Sequence, residues 1–566
     1  MLDARDIRPH LEGLIEGAVR SAIQAGELPD VAVPSVPIER PKDPSHGDFA
    51  TTLPLRMARS AMKKPLEIAE AVAKHLPADE AIEAPEVAPP GFINMRLSDV
   101  FLQQQIVRVI EHGPAFADMP LGTGKKAQVE FVSANPTGPL HVGNGRGAAI
   151  GDALAAVLEA AGYETEREYY VNDAGTQTDT FSETLYARYQ QLFGRDVDIP
   201  KDGYPGDYMI ELAQTLKKDH GDGLLRPEGE QPPENLNQIG MDAMVGHIRE
   251  SLRKLGVEYD VWFSERSLYA GEKVFDTAMA ILKENGQLTE REGALWFTSS
   301  DLGESKDNVV VRSNGKPTYY ASDIAYHYDK FVRRGFDLVI DVWGADHHGH
   351  VSRLKTATQA LGANPEALHI LLYQLVTLKR GGETVRLSKR GGDLITLDEL
   401  VDEVGPDATR FFFLMRSPGA QMDFDIDLAV KQSNENPVYY VQYAHARLSQ
   451  ILARAAEQGI DASGGDVSLL TQPHELGLVR EMLRLVDVIE QSATELEVHQ
   501  LPHYAMALAT AFHAFNDAFR QQSDSSLKVI TDDEDLTRAR LRLVQAAQIA
   551  LARVLGLMGV SAPERM

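Results

Sequence analysis

The stretch Val129-Glu130-Phe131-Val132-Ser133-Ala134-Asn135-Pro136-Thr137-Gly138-Pro139-Leu140-His141-Val142-Gly143-Asn144 carries the reading of the fold. Its first part closes a buried-strand run, Ala127 to Val132, and its last part leads into an alanine-rich, proline-free helix over Gly147 to Ala161. A strand, a tight Pro/Gly turn and a helix N-terminus form a ready anion site, because free backbone N–H groups and the helix dipole face the ligand. There His141 can donate to a phosphate whose charge grows in a transition state. Gly143 lets a flat adenine ring come close to the backbone. Taken alone, His-x-Gly carries almost no weight, since a plain β–α turn capped by His is far commoner than a nucleotide site.

Outward from this stretch, Tyr169-Tyr170-Val171 and Leu338-Val339-Ile340-Asp341-Val342 are further short apolar strands separated by helical segments. Such alternation predicts a Rossmann-type parallel sheet covered by helices, over residues 116–400. The polar, irregular segment of about 173–308 reads as an insertion between two halves of the sheet. Residues 1–115 read as a small α/β module, with helices over Ile7 to Ala25 and about Pro65 to His75 and an alternating strand over Gly91 to Leu97. The amphipathic run Val100 to His112 and the glycines at 113, 122 and 124 read as a linker. Beyond a connecting region at 401–435, residues 436–566 read as an all-α bundle of four helices: Tyr443 to Glu457, Glu475 to Leu496, Tyr504 to Gln522 and Asp535 to Met558. In the second, Leu476, Val479, Leu483, Val486 and Ile489 recur at helical spacing. The expected class is therefore multidomain, α/β plus all-α.

Composition narrows the function classes. With no cysteine among 566 residues, disulfides, thiolate catalysis and Cys-ligated zinc are excluded. No apolar run of about 18 residues or more and no signal-peptide core are present, so no membrane is expected as a partner and the cytoplasm is the expected address. The net charge of −27, from 56 basic and 83 acidic residues, argues against gripping nucleic acid by bulk charge. It leaves room for a local basic surface, since phosphate contacts act within roughly 8–10 Å.

Two more segments carry chemistry. Arg386-Leu387-Ser388-Lys389-Arg390-Gly391-Gly392-Asp393 sets basic residues beside glycines. A lysine there can follow a phosphate during leaving-group departure, and the glycines let a loop close and open. Asp346-His347-His348-Gly349-His350 invites a metal reading, which would make the chain a metal-dependent hydrolase. The spacing matches no standard structural zinc site, and the alternative is a pocket lining at a strand end.

Taken together these segments resemble the class I aminoacyl-tRNA synthetases: the His141 segment is similar to their first signature, and Arg386 to Arg390 to their second. More narrowly, Val129 to Gly143, Tyr319-Tyr320-Ala321-Ser322-Asp323-Ile324-Ala325, Asn436 to Arg447 and the ending Ala562-Pro563-Glu564-Arg565-Met566 resemble the arginyl enzymes of bacteria, over nearly the whole chain. Two departures stand out. Asn144 occupies the place of the second histidine of the first signature, and the second signature keeps its central lysine as Lys389 but opens on Arg386.

The resemblance implies an arginine–tRNA ligase using ATP, with Mg²⁺ accompanying ATP and no structural metal. Its partners would be L-arginine and tRNA(Arg), its first step would need tRNA, and the chain would be a monomer. His141, Asn144 and Lys389 would be catalytic. ATP would lie against His141, Gly143, Asn144, Arg386, Ser388 and Lys389. Arginine would meet Glu130, Asn135, Tyr319, Asp323 and His347, which agrees with its chemistry, since a guanidinium is best met by carboxylates. tRNA would meet Phe92 and Asn94 of the N-terminal module, at its elbow, and Tyr439, Tyr443, Arg447 and Met566 of the anticodon-binding bundle. Arg538 and Arg542 also suit phosphate contact. The alternative motivated by Asn144 and the altered second signature is a catalytically inactive, tRNA-binding paralogue.

Overall fold

The structure, a computed structural model, describes residues 2–174, 176–271, 273–385, 395–521 and 528–566. At its centre is a five-stranded sheet, parallel throughout. Edge to edge it runs Val261–Ser264, Glu164–Val171, Lys126–Phe131, Leu338–Gly344, Leu368–Tyr373. Numbered in chain order, the strands stand 3-2-1-4-5, the doubly wound arrangement. Its switch point lies between Lys126–Phe131 and Leu338–Gly344, and open α/β sheets take ligands outside the carboxyl ends of the strands at that point.

The Lys126–Phe131 strand is buried on both faces after its first residue, which explains its continuous apolar reading. The helix that follows, Val142–Ala160, approaches it on a row of glycines. A Cβ on Gly151 would meet Cγ of Phe131 at 2.2 Å, and one on Gly147 would meet the Tyr373 ring at 2.9 Å. Gly151→Ala should therefore cost about 1–3 kcal/mol through overpacking. Thermal unfolding of the variant checks this: a lowered transition is expected, and an unchanged one would mean that helix and sheet part without cost.

Two segments differ from the sequence reading. The stretch read as a single insertion supplies the Val261–Ser264 edge strand, after the helices Thr176–Gln191, Asp207–His220 and Leu236–Lys254. An edge strand of four half-buried residues carries little apolar periodicity, so it is easily missed. The run read as a linker is the helix Asp99–His112, capped by Ser98, whose buried face includes Phe101, Leu102, Ile106 and Val109. It packs on the C-terminal helices Glu534–Leu557 and Pro473–Glu495, so its amphipathic spacing reflects a partner far along the chain.

The N-terminal module holds the three-stranded antiparallel sheet of Phe49–Thr51, Phe92–Met95 and Glu86–Ala88 and the helices Ile7–Gln24, Leu53–Ala61 and Pro65–His75. It leans on the bundle through Arg8, which pairs with Asp487 at 2.8 Å and Glu490 at 3.1 Å. The bundle consists of Pro437–Glu457, Pro473–Glu495, Gln500–Gln521 and Glu534–Leu557. Fully buried Arg410 joins it to the catalytic layer, donating to the Met558 carbonyl at 2.7 Å and the Leu255 carbonyl at 3.3 Å and pairing with Asp152 of the glycine-rich helix. No described helix is long and apolar enough to cross a membrane.

Candidate active site

The helix N-terminus predicted at His141 forms. His141 is the N-cap, with Nδ1 accepting from the Gly143 N–H at 3.1 Å, while Asn144 Oδ1 accepts from the His141 N–H at 3.0 Å. Two orphan donors of the first turn are thus satisfied reciprocally. Gly143 has no room for a Cβ, which would lie 2.9 Å from Cε1 of His141. With Nδ1 accepting, the neutral ring carries its proton on Nε2, leaving Nε2–H as an outward donor. Its surroundings push the His141 pKa down through desolvation, with Asp346 opposing, so the ring stays neutral at pH 7. The Asn144 departure thus has a structural role that an unbranched apolar residue could not fill.

The loop before His141 is held under strain. Val132 (φ 68°) and Ser133 (φ 40°) adopt the left-handed region, which a β-branched valine disfavours. Three tyrosines brace it by donating to its carbonyls: Tyr259 to Phe131 at 3.0 Å, Tyr169 to Ala134 at 2.9 Å, and Tyr208 to Thr137 at 2.8 Å. None of the three was singled out from the sequence. Asn135 is exposed on this loop and donates to Gln177 Oε1 at 2.9 Å.

Across the switch point, the Leu338–Gly344 strand ends in the 3₁₀ turn Ala345–His350. Asp346 of this turn acts electrostatically on His141, so the two loops share one crevice. His347 is more than half exposed, with its ring 5.9 Å from that of Trp343. Among the described residues no group of three or more His, Cys, Asp or Glu side chains is arranged to hold a metal ion.

Arg386, Ser388 and Lys389 lie outside the described residues. The chain that follows them is stitched to the first signature: Leu397 N–H donates to the Leu140 carbonyl at 2.8 Å, and Thr396 bridges His141.

Beneath the crevice lies a cluster of acids. Glu130 is buried at the end of the central strand; its Oε1 accepts from Ser133 Oγ at 2.9 Å and its Oε2 from Lys330 Nζ at 2.6 Å. Asp323 sits on the helix Tyr319–Tyr328, and among the described residues no hydrogen-bond donor reaches its carboxylate. Burial raises its pKa; His327 opposes, and Glu130, Glu265 and Asp341 reinforce, so that it is pushed up to about 7. Glu265, buried in the 3₁₀ turn Glu265–Tyr269, is likewise raised by burial, against a hydrogen bond from Ser322. Tyr269 and Ser322 share a hydrogen bond of 2.7 Å. Together with Tyr319, which is 54% exposed, and Glu265 they line a cavity of about 580 Å³. Glu265 and Tyr269 escaped the sequence reading because nothing in their local stretch marks them out; they reach the site through the unrecognised edge strand. The whole sets a helix N-terminus, the kind of place that takes a phosphate, near a buried acid cluster in which Glu130 is paired with Lys330 and Asp323 has no described donor, while the cavity wall also carries Arg266, Arg312 and Lys316.

On the bundle, Tyr439 and Tyr443 stack with ring centroids 6.3 Å apart and planes 7° apart, Tyr443 and Met566 are exposed, and Arg447 lies on the same helix. Arg538 pairs with Glu534 and Arg542 donates to the Gly465 carbonyl at 3.1 Å, so both are partly engaged within the fold. In the N-terminal module, Phe92 is half-buried and Asn94 buried, two positions apart on one strand.

Comparison with known proteins agrees with this geometry. Residues 10–97 match the family described as the arginyl tRNA synthetase N terminal domain. Residues 106–200 and 227–413 match the catalytic domain of class I (R) tRNA synthetases, and residues 441–566 the DALR anticodon binding domain. The arginine–tRNA ligase of Dehalococcoides mccartyi (strain CBDB1) is 50% identical over 549 residues, 97% of each chain. That of Carboxydothermus hydrogenoformans is 47% identical over 560 residues, 98% of this chain and 99% of its own. The solved arginyl-tRNA synthetase of Thermus thermophilus is 25% identical, superposes with a TM-score of 0.73, and covers 99% of this chain and all of its own. These relatives favour an enzyme over an inactive paralogue. The chain belongs to the arginyl-tRNA synthetase family.

Proposed function

We propose that the chain activates L-arginine with ATP, as its Mg²⁺ complex, and transfers the arginyl group to the 2′-hydroxyl of the terminal adenosine of tRNA(Arg). The observation that carries this is the buried Asp323 carboxylate, which no described donor reaches, set among Glu130 and Glu265 near the His141 helix terminus. The arginine carboxylate attacks the α-phosphorus, the bond to the bridging oxygen breaks, and pyrophosphate leaves; the tRNA hydroxyl then attacks the acyl carbon and AMP leaves. Asp323, Glu130 and Glu265 with Tyr319 meet the guanidinium and α-amino group, while Asn135 and His347 face the backbone end. His141, Gly143, Asn144, Arg386, Ser388 and Lys389 hold ATP, with Lys389 following the leaving pyrophosphate. Tyr439, Tyr443, Arg447 and Met566 take the anticodon by stacking and phosphate contact, and Phe92 and Asn94 the tRNA elbow. The first step requires tRNA, and the protein works as a cytoplasmic monomer.

Citrulline, the uncharged isostere of arginine, tests the acid pocket. Charging of total tRNA should proceed with arginine and fall by at least about 10³ with citrulline, because the buried carboxylates would be left unpaired. Comparable charging with both would contradict the assignment.

The Asp323 carboxyl also sets a pH dependence. Raised to about 7 in the ligand-free protein, it must be ionised to pair with a guanidinium, so arginine affinity rises with pH through that value. Between pH 8 and pH 6 the arginine Kd should rise about tenfold, the ratio of ionised fractions around a pKa near 7. Stability runs the other way: a carboxyl raised from 3.8 to about 7 makes the ligand-free fold lose stability as pH climbs through that window. Arginine should therefore raise the melting temperature more at pH 8 than at pH 6. Calorimetric titration at the two pH values checks the affinity.

A further inference from the structure

Lys330 is a fully buried cation inside the acid cluster. The Tyr319–Tyr328 helix, which carries Asp323, continues into a π-helical turn, Asp329–Arg333. Such turns recur where a side chain must be re-aimed at a functional site. Here the turn buries Lys330 completely, with Nζ 2.6 Å from Glu130 Oε2 and 2.8 Å from Asp341 Oδ1, and 4.2 Å from the centroid of the Tyr326 ring. The other oxygen of Asp341 is 3.0 Å from His327 Nε2, while His327 Nδ1 is 2.8 Å from the main-chain carbonyl of Asp323 itself. A continuous polar chain thus runs Glu130, Lys330, Asp341, His327, and ends on the main chain of the helix at Asp323, the residue whose carboxylate joins Glu130 in the acid cluster.

The charges in this chain are matched with care. Burial opposes the Lys330 charge, but Asp341, Glu130 and Glu168 outweigh it and hold its pKa above the ordinary value. Asp341 is drawn down by Lys330 and His327 despite complete burial. Both ring nitrogens of His327 face acceptors, a carboxylate and a carbonyl, so the ring is fixed in orientation from both sides. Glu130 is then pinned at both oxygens, by Ser133 and Lys330, with one lone pair on each still free.

We infer that Lys330 is a positioning residue for arginine: it pins the Glu130 carboxylate directly and, through Asp341 and His327, ties it to the main chain of the helix that carries Asp323, so that the strand and the helix bearing the two acids are held in register for a forked dication. This rests on the reading of the pocket as the arginine site. It predicts that Lys330 sets affinity for arginine while leaving ATP untouched, because among the described residues the chain touches the loop before His141 only at Ser133 and none of its members contacts His141 itself.

The test is arginine-dependent ATP–pyrophosphate exchange with tRNA(Arg) present, on the full-length protein, Lys330→Met, and the double variant Lys330→Met/Asp341→Asn, which keeps the Glu130 carboxylate. Exchange by the unaltered protein, in the same assay, tests the reading of the site on its own; its absence would overturn that reading and the inference with it. Given exchange, Lys330→Met should raise the KM for arginine at least tenfold, with the KM for ATP within about twofold. The single variant strips Glu130 of its lysine and leaves Asp341 with His327, so two buried carboxylates lose their shared cation and the protein should melt earlier. The double variant removes one of those charges, so it should regain melting temperature but not arginine KM. An arginine KM within twofold of the unaltered protein in Lys330→Met, or a double variant that regains KM along with stability, would reduce Lys330 to a structural counter-ion and overturn the inference.

Discussion

Asp323→Asn should lower kcat/KM for arginine by about 10²–10³, with the KM for ATP unchanged within about twofold. The carboxylate is held near Glu130, Glu265 and Asp341, and among the described residues no donor reaches it, a costly arrangement in the free protein that a guanidinium would relieve. Removing one partner of such a buried charge pair costs about 3–5 kcal/mol, and each 1.4 kcal/mol is tenfold. The amide is nearly the same size, so packing is kept, but its NH₂ offers a donor where arginine also brings donors. The free variant should, in addition, be more stable than the parent above pH 7, since it no longer buries that charge. Steady-state exchange kinetics and a melting curve on one preparation read both effects. A loss confined to kcat, with arginine KM unchanged, would place Asp323 outside substrate binding.

His141→Asn should lower kcat for adenylate formation by about 10²–10³ while sparing stability. Asparagine is among the best N-caps, so the Gly143 N–H keeps an acceptor and the helix start survives. What is lost is the Nε2–H donor, which the cap geometry fixes in a neutral ring and which can stabilise charge growing on the α-phosphate. His141→Ala separates the two roles further: it should lose the same rate and, in addition, about 1 kcal/mol of stability with the cap. Equal rates for the parent and His141→Asn, in single-turnover adenylate formation, would reduce the histidine to a cap.

How far the sequence announced all this depends on the range of the interaction. The Lys126–Phe131 strand and the Val142–Ala160 helix were legible because a buried central strand reads as an unbroken apolar run and the helix is proline-free and alanine-rich. The bundle helices were legible from apolar spacing, although each begins a few residues before its expected start, at residues such as Pro437 and Pro473 where proline suits the first turn. The Asp99–His112 helix was misjudged for the opposite reason: its apolar face is explained only by helices about 400 residues away in the chain, as Gln103 shows by donating to the Leu470 carbonyl at 2.9 Å, 367 positions on.

The site divides in the same way. Glu130, Asp323 and His141 stand inside long motifs and were named from them. Glu265 comes from the far side of an edge strand, and Lys330 meets Glu130 across 200 positions. The tyrosine brace joins residues 35, 71 and 128 positions apart. No local pattern encodes such contacts. Charge, too, misleads at the level of the whole chain: the net −27 says nothing of a cluster in which Glu130, Asp323 and Asp341 gather round one buried lysine.

The central claim, that this acid pocket and this helix terminus together activate arginine, is tested most directly by amino-acid-dependent ATP–pyrophosphate exchange with the purified protein. All twenty amino acids would be screened, with and without total tRNA. The account predicts exchange with arginine alone, and only when tRNA is present. Exchange with another amino acid, or silence under every condition from a protein that still binds tRNA, would contradict it.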